Sequence, residues 1–163
     1  MQEVTGVTTT AYQYDRNGNR ISKDAGSNTS AYDYDFNDRL VAFHAGIHAA
    51  TYTLDAFGRR ASRTVDGTIV QYAYDGLDGI DEYDSQGTRT AQNLFGLGTD
   101  ENLAKLSGGQ NFYYLQDGAN SVSAIVDATQ TVQNHYEYDA WGNILSKAEN
   151  VANRYTFASR ELE

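Results

Sequence analysis

Four groupings of side chains have the types and spacing for chemistry. Asp15-Arg16-Asn17-Gly18-Asn19 has the oxygen-rich spacing of a calcium loop, but an EF-hand needs Gly at its sixth position and Glu at its twelfth, where Arg20 and Gly26 stand. His44 and His48 have the spacing of two zinc ligands on a helix face. The intervening Ala45-Gly46-Ile47 disfavours a helix and supplies no Glu, so exposed imidazoles on a loop or a strand pair are expected instead. The carboxylate pairs Asp33/Asp35 and Asp81/Asp84 are explained by a repeat described below. Asn28-Thr29-Ser30 fits the N-glycosylation sequon, a pattern that carries weight only in a known host. No Gly-x-Ser-x-Gly elbow, phosphate-binding loop or zincin helix is present. No catalytic, cofactor-binding or metal-binding residue is assigned, and the chain is read as non-enzymatic.

The composition points the same way. The 163 residues hold 13 Tyr and 6 Phe beside one Met and one Trp, so burial must be largely aromatic and amphipathic. Without Cys there is neither a disulfide framework nor a thiolate metal site. Without Pro, and with abundant Gly, Asn and Asp, reversals must be made by residues tolerant of positive φ, and many tight turns imply many short strands. A net charge of -10 repels a phosphate backbone or an anionic membrane, which argues against nucleic acid as a partner. No apolar run is long enough to span a membrane, and Met1-Gln2-Glu3-Val4 has neither the basic nor the apolar region of an export signal. The chain is expected to be soluble.

The elements that must position these residues come from an internal repeat. Tyr12-Gln13-Tyr14-Asp15, Tyr32-Asp33-Tyr34-Asp35, Tyr52-Thr53-Leu54-Asp55 and Tyr72-Ala73-Tyr74-Asp75 follow one another at intervals of 20 residues. The third residue after the first three Asp is Gly18, Asp38 or Gly58. A looser copy at Glu82-Tyr83-Asp84 precedes Tyr136-Glu137-Tyr138-Asp139, which is followed by Gly142, and a partial copy begins at Tyr155. In a strand, residues i and i+2 share a face, so the two aromatics of Tyr-x-Tyr lie side by side. Asp then ends the strand by accepting hydrogen bonds from amides two residues on, and the following Gly, Asn or Asp takes the left-handed position of the turn. Return strands such as Arg20-Ile21-Ser22-Lys23 and Arg60-Ala61-Ser62-Arg63 complete a two-stranded unit. Such a unit is marginal alone, so the units must stack, tyrosine beside tyrosine. The expected fold is all-β: stacked β-hairpins in a curved or spiralling antiparallel sheet, solenoid-like, forming one domain over 1–163. Its units lie near 12–31, 32–51, 52–71 and 72–91, with an irregular one at 92–112 and others at 113–135 and 136–163. Asp100–Leu106 has weak helical character, at a length equally compatible with strand or loop.

These residues resemble the Rhs/YD-repeat family of bacterial Rhs toxins, the shell of Tc toxin complexes and the teneurin extracellular region. Tyr113 to Asp127 looks like the distal Rhs core, and Arg154-Tyr155-Thr156-Phe157-Ala158-Ser159-Arg160-Glu161 is similar to the segment that follows its last repeat. The resemblance implies a structural shell segment that encapsulates a toxin or other guest, in a parent protein secreted by, or on the surface of, a bacterium. Family members that release cargo carry an Asp-Pro cleavage motif, and the Pro-free chain offers no residue to which self-cleavage transfers. About seven two-stranded units give roughly 70 Å of sheet at ~4.8 Å per strand, whereas a guest of about 100 residues needs a wall of roughly 100 Å. The chain alone therefore reads as an excised segment or a small relative, with Leu162-Glu163 open to being a cloning junction. Its expected partners are neighbouring repeats or further copies meeting at open sheet edges. The alternative reading is a binding module for glycans or a protein, using exposed aromatics.

Overall fold

The computed structural model describes residues 2–5, 8–99 and 101–161, with side chains from residue 9 on. The Leu162-Glu163 reading and Asp100 lie outside the described residues. The chain divides into two compact units, Met1–Tyr72 and Ala73–Glu163. The first holds β1 (Gln2–Thr5), β2 (Thr8–Tyr14), β3 (Arg20–Ala25), β4 (Asn28–Tyr34), β5 (Leu40–Ala45), β6 (His48–Leu54), β7 (Arg60–Val65) and most of β8 (Thr68–Asp75). The second holds β9 (Asp78–Tyr83), β10 (Arg89–Phe95), β11 (Asn102–Ser107), β12 (Gln110–Gln116), β13 (Val122–Asp127), β14 (Val132–Tyr138) and β15 (Ile144–Glu149), then a short 3-10 turn at Phe157–Ser159. Within each unit every strand pairs antiparallel with the next in chain order. The fold is all-β, as the repeat requires, and the region of weak helical character is strand β11.

Two reversals alternate along the first unit. One is a two-residue hairpin: at Asp66-Gly67 both residues have positive φ, the signature of a turn whose twist matches the strands it joins. The other is built on Asp. The Asp15 Oδ1 accepts from the amides of Asn17 (2.9 Å) and Asn19 (2.8 Å), and Gly18 stands between them at φ 92°. The Asp15 amide donates to the Asn19 carbonyl and the Gly18 amide to the Asp15 carbonyl, closing the loop. The same geometry recurs at Asp35, Asp55, Asp84, Asp117, Asp127 and Asp139, each carboxylate accepting from the second and fourth amides after it. The left-handed third residue is Asp38, Gly58, Gly87, Asn120, Gln130 or Gly142. A register shift beside most of these turns, as at Gln13/Tyr14, lets the return strand resume its pairing with one residue to spare.

Asp75 departs from the expectation that every repeat Asp closes such a turn. It is the last residue of β8, and the chain reverses at once through Gly76-Leu77. Gly76 takes the left-handed conformation (φ 58°) immediately after the Asp, which closes a two-residue hairpin before a fourth amide can come round to the carboxylate. The Asp84 turn follows nine residues later, out of step with the interval of 20.

Burial differs between the units. Ala50 is the only buried side chain of the first unit among its described residues, and the repeat aromatics there are half-buried, except for the exposed Tyr14. The second unit has a core of Phe112, Tyr114, Val122, Ile125, Tyr136 and Tyr155, with Phe95, Tyr138 and Val151 against it. Burying side chains of this size stabilises by about 1.5 to 3 kcal/mol each.

The turn carboxylates predict how the fold responds to acid. Asp127 is held down to about 2, chiefly by the Thr129 hydroxyl and then by the Thr131 amide, and Asp15, Asp35, Asp55 and Asp139 are also lowered. A depressed carboxylate contributes stability that is complete above its unfolded value, about 3.9, and is lost as pH falls through its folded value. The melting temperature should hold down to about pH 4 and fall between there and about pH 2. Scanning calorimetry of the wild type and Asp127→Asn checks this: the fall should be shallower in the variant, and identical profiles would remove the turn carboxylates from the explanation.

Candidate functional site

The repeat tyrosines of the first unit share one face. Pairing register places Tyr12, Tyr14, Tyr32, Tyr34, Tyr52 and Tyr72 on it, with Arg20, Lys23, Phe43, Leu40, Ala50, Arg60 and Arg63 from the strands between. Tyrosine does not lie beside tyrosine along the array, as the stacking argument expects. Tyr-bearing strands are every second strand, roughly 10 Å apart, so the return strands must fill the gaps. Arg20 does so with its guanidinium 4.7 Å from the Tyr32 ring centre and 5.8 Å from that of Tyr12, Arg60 lies 4.6 Å over Tyr52, and Phe43 packs at 5.3 Å on Tyr32. Cation over ring and ring on ring are each worth about 0.5 to 1.5 kcal/mol, and here they connect consecutive repeats.

The turns are linked as well. Asn17 and Asn19 of the Asp15 turn both donate to the Asp38 carboxylate of the next turn (2.8 and 2.7 Å). In the Asp35 and Asp55 turns, Oδ2 accepts from the guanidinium of Arg39 or Arg59 at 2.7 to 2.8 Å. Gly18, Gly58 and Gly142 occupy equivalent left-handed positions, and Tyr138 and Asp139 repeat the Tyr-Asp step in the second unit. The paired carboxylates are thus apart in role: Asp35 closes a turn while Asp33 points to the other face of β4. His44 and His48 stand on neighbouring strands β5 and β6 on opposite faces, and His48 Nδ1 is 2.8 Å from Asp66 Oδ2. Among the described residues no three His, Cys, Asp or Glu gather in a way that would hold a metal ion.

In the second unit the Tyr-x-Tyr face is covered by the chain's own residues 150–161. Asn134, completely buried on β14, starts this strap: its Oδ1 accepts from the amides of Asn150 and Val151 (both 3.0 Å), and its Nδ2 donates to the Val151 carbonyl (2.7 Å). The strap then crosses the strands. The buried Lys105 donates to the Ala152 carbonyl (2.9 Å), Asn153 meets the hydroxyls of Tyr114 and Tyr136 (both 3.2 Å), and Tyr155 sets its ring edge-on to Phe95. The Thr156 carbonyl accepts from the Val122 amide, and Ser159 bonds Gln116 and the Asn120 carbonyl.

Arg154 is the most consequential of these residues. Its side chain is 6% exposed, with Glu82 at 3.7 Å, Glu161 at 3.5 Å and the Tyr155 hydroxyl as an acceptor. Burial pulls its affinity for a proton down, but the Tyr155 oxygen that accepts from it and the carboxylates of Glu161 and Glu82 more than offset this, so the guanidinium stays charged. Burial lowers the Lys105 ammonium and raises the phenols of Tyr138 and Tyr155 to about 12. Gly79 makes room: a Cβ there would stand 2.6 Å from the Arg154 guanidinium. The sequence marks Arg154 only through its family segment, and nothing in composition or spacing points to Asn134, Lys105 or Asn153. These groups bind chain to chain, and their chemistry is that of a closure.

Antiparallel sheets of Tyr-Asp strands, most of whose repeat carboxylates are engaged in turns, define a structural β-repeat protein. The teneurin YD-shell family matches residues 1–153, and the chain belongs to it. Two relatives, the tRNA3(Ser)-specific nuclease WapA of Bacillus spizizenii and the tRNA nuclease WapA of Bacillus subtilis strain 168, are each 30% identical over the whole of this chain. The chain spans 7% of their length. Among solved structures, the Photorhabdus luminescens Tc holotoxin pore matches with a TM-score of 0.60 at 13% identity, over 94% of this chain and 11% of that one. That likeness is one of fold.

Two substitutions test the strap. Arg154→Ala leaves Glu82 and Glu161 facing each other across a buried gap and should cost about 3 to 5 kcal/mol in urea unfolding, with Glu82→Gln added to it costing less than the sum of the two alone. Gly142→Ala would bring a Cβ to 2.6 Å from the Phe157 ring, whereas Gly18, with the same left-handed backbone, has open space around it. Both should lose about 1 kcal/mol to strain, and Gly142→Ala about 1 to 3 kcal/mol more. Equal losses would show that Phe157 does not press on the Asp139 turn.

Proposed function

We propose that this chain is one stretch of the wall of a larger YD-repeat shell that encloses a toxin or another guest, in a parent protein secreted by, or carried on the surface of, a bacterium. Membership of the shell family supports the structural role. The observation that carries the reading is what the acidic side chains do. The carboxylates of Asp15, Asp35, Asp55 and Asp139, the residues best placed by repetition to form a site, are each spent on amides of their own turn. We read the chain as non-catalytic, and assign the tRNA nuclease activity in its relatives' names to parts of those proteins beyond the 7% that it matches. A nuclease is then one kind of guest. Strand β15 pairs only with β14 among the described residues, and we infer that further repeats or a second copy add there.

A second reading, a binding module for glycans or a protein, has one observation in its favour. Phe36, Phe57 and Trp141 are 85 to 90% exposed on the Asp-built turns, well beyond any repeat tyrosine of the first unit. Triple replacement of these tips by Ser should abolish binding in this reading and leave a wall segment's stability and guest retention intact.

The wall is tested in the parent protein by limited proteolysis of its guest. The intact parent should protect the guest, and removal of this segment should expose it to cleavage, while the 163-residue chain alone leaves tRNA intact. A guest equally protected without the segment, or tRNA cleaved by the chain, overturns the proposal.

A further inference from the structure

In a chain of net charge -10, one face of the sheet formed by β2 to β7 carries no strand carboxylate among the described residues. Across β2 to β7 the acidic residues within strands are Asp24 and Asp33, and register puts both on the face opposite the tyrosines. The cations of these strands, Arg20, Lys23, Arg60 and Arg63, are all on the tyrosine face. Arg20 lies against rings, and no carboxylate of a described residue pairs with Arg20, Lys23 or Arg63. The segregation is the reverse of what the overall charge would give, and its field favours an anion.

The second unit shows how a Tyr-x-Tyr face is covered. An extended polypeptide crosses the strands, its carbonyls and amide side chains taking up tyrosine hydroxyls and a lysine, and its one buried charge, Arg154, meeting the opposite charge of Glu82. On the first unit the fixed charges are positive, so the same mode calls for carboxylates in the covering segment. We propose that the tyrosine face of residues 8–72 binds an extended acidic polypeptide segment laid across its strands, with Arg20, Lys23 and Arg63 meeting its carboxylates and the tyrosines supplying hydroxyls and ring faces to its backbone. Arg20 and Arg63 lie four strands apart, roughly 19 Å, so the segment needs at least about six extended residues. This rests on the wall reading and names the kind of guest surface the wall would hold.

The test uses the 163-residue chain and a fluorescent poly-L-glutamate of about 20 residues, followed by anisotropy at two salt concentrations. Binding should occur, weaken with salt, and fall about tenfold in Lys23→Glu/Arg63→Glu. Thr51→Glu/Gln71→Glu adds negative charge on the opposite face and should change affinity less than twofold. Lys23→Gln/Arg63→Gln, checked for an unchanged melting temperature, gives the same answer should the reversed charges prevent folding. No binding, or equal losses from both faces, overturns the proposal. So does an oligothymidylate of matched length that binds more tightly through the same residues, which would make the face a stacking platform for nucleic acid. Guest protection in the parent is measured separately: protection without glutamate binding removes this inference alone, and its loss of dependence on the segment removes the wall.

Discussion

A single carboxylate at the end of a strand, accepting from the second and fourth amides after it, is the interaction on which the sheet depends. A two-stranded hairpin has little stability of its own, so what distinguishes a durable array from a set of loose ribbons is how sharply each reversal is defined. The Asp geometry defines it three ways at once: Oδ1 satisfies two amides that would otherwise face water, the left-handed third residue sets the handedness of the loop, and the neighbouring register shift absorbs the extra residue. Asn17 and Asn19 then join one turn to the next through Asp38, so the edge is stitched by side chains while the ladder is stitched by backbone.

The tyrosine face follows from the same spacing. Because Tyr-x-Tyr falls on alternate strands, each gap admits a side chain from a return strand, and what fills it decides what the face becomes. In the first unit arginines lie over the rings and the face stays half-open. In the second, Val122 and Ile125 of β13 fill the corresponding space and residues 150–161 seal it with a polar seam that includes a buried, charged Arg154. The fully bonded Asn134 anchors that strap, and its burial is tolerable because Oδ1 and Nδ2 both find partners in the backbone of the segment it holds.

The sequence makes the strand-turn alternation and the roles of Asp15, Asp35, Asp55 and Asp139 legible, since motif and register coincide there. It hides Asp117 and Asp127, whose turns follow Leu-Gln and Ile-Val, because the closure needs only an Asp and a tolerant third residue and is indifferent to the aromatics before it. It misleads at Asp75, where Gly76 arrives two residues early. The interleaving of Arg20 and Arg60 between tyrosines was open to derivation from strand spacing alone, whereas the strap was not: Asn134, Lys105 and Asn153 are polar residues whose burial depends on a chain segment returning from far along the sequence.

The proposed wall needs, first of all, turns that survive. Amide hydrogen exchange tests the basis of this directly. If the Asp carboxylates hold the turns, the amides of Asn17, Asn19, Phe57, Arg59, Trp141 and Asn143 exchange slowly at neutral pH, with protection approaching that of the flanking strands. Free exchange at these six amides beside well-protected strands would mean that the sheet stands without the turns, and that the repeated aspartates serve some other end.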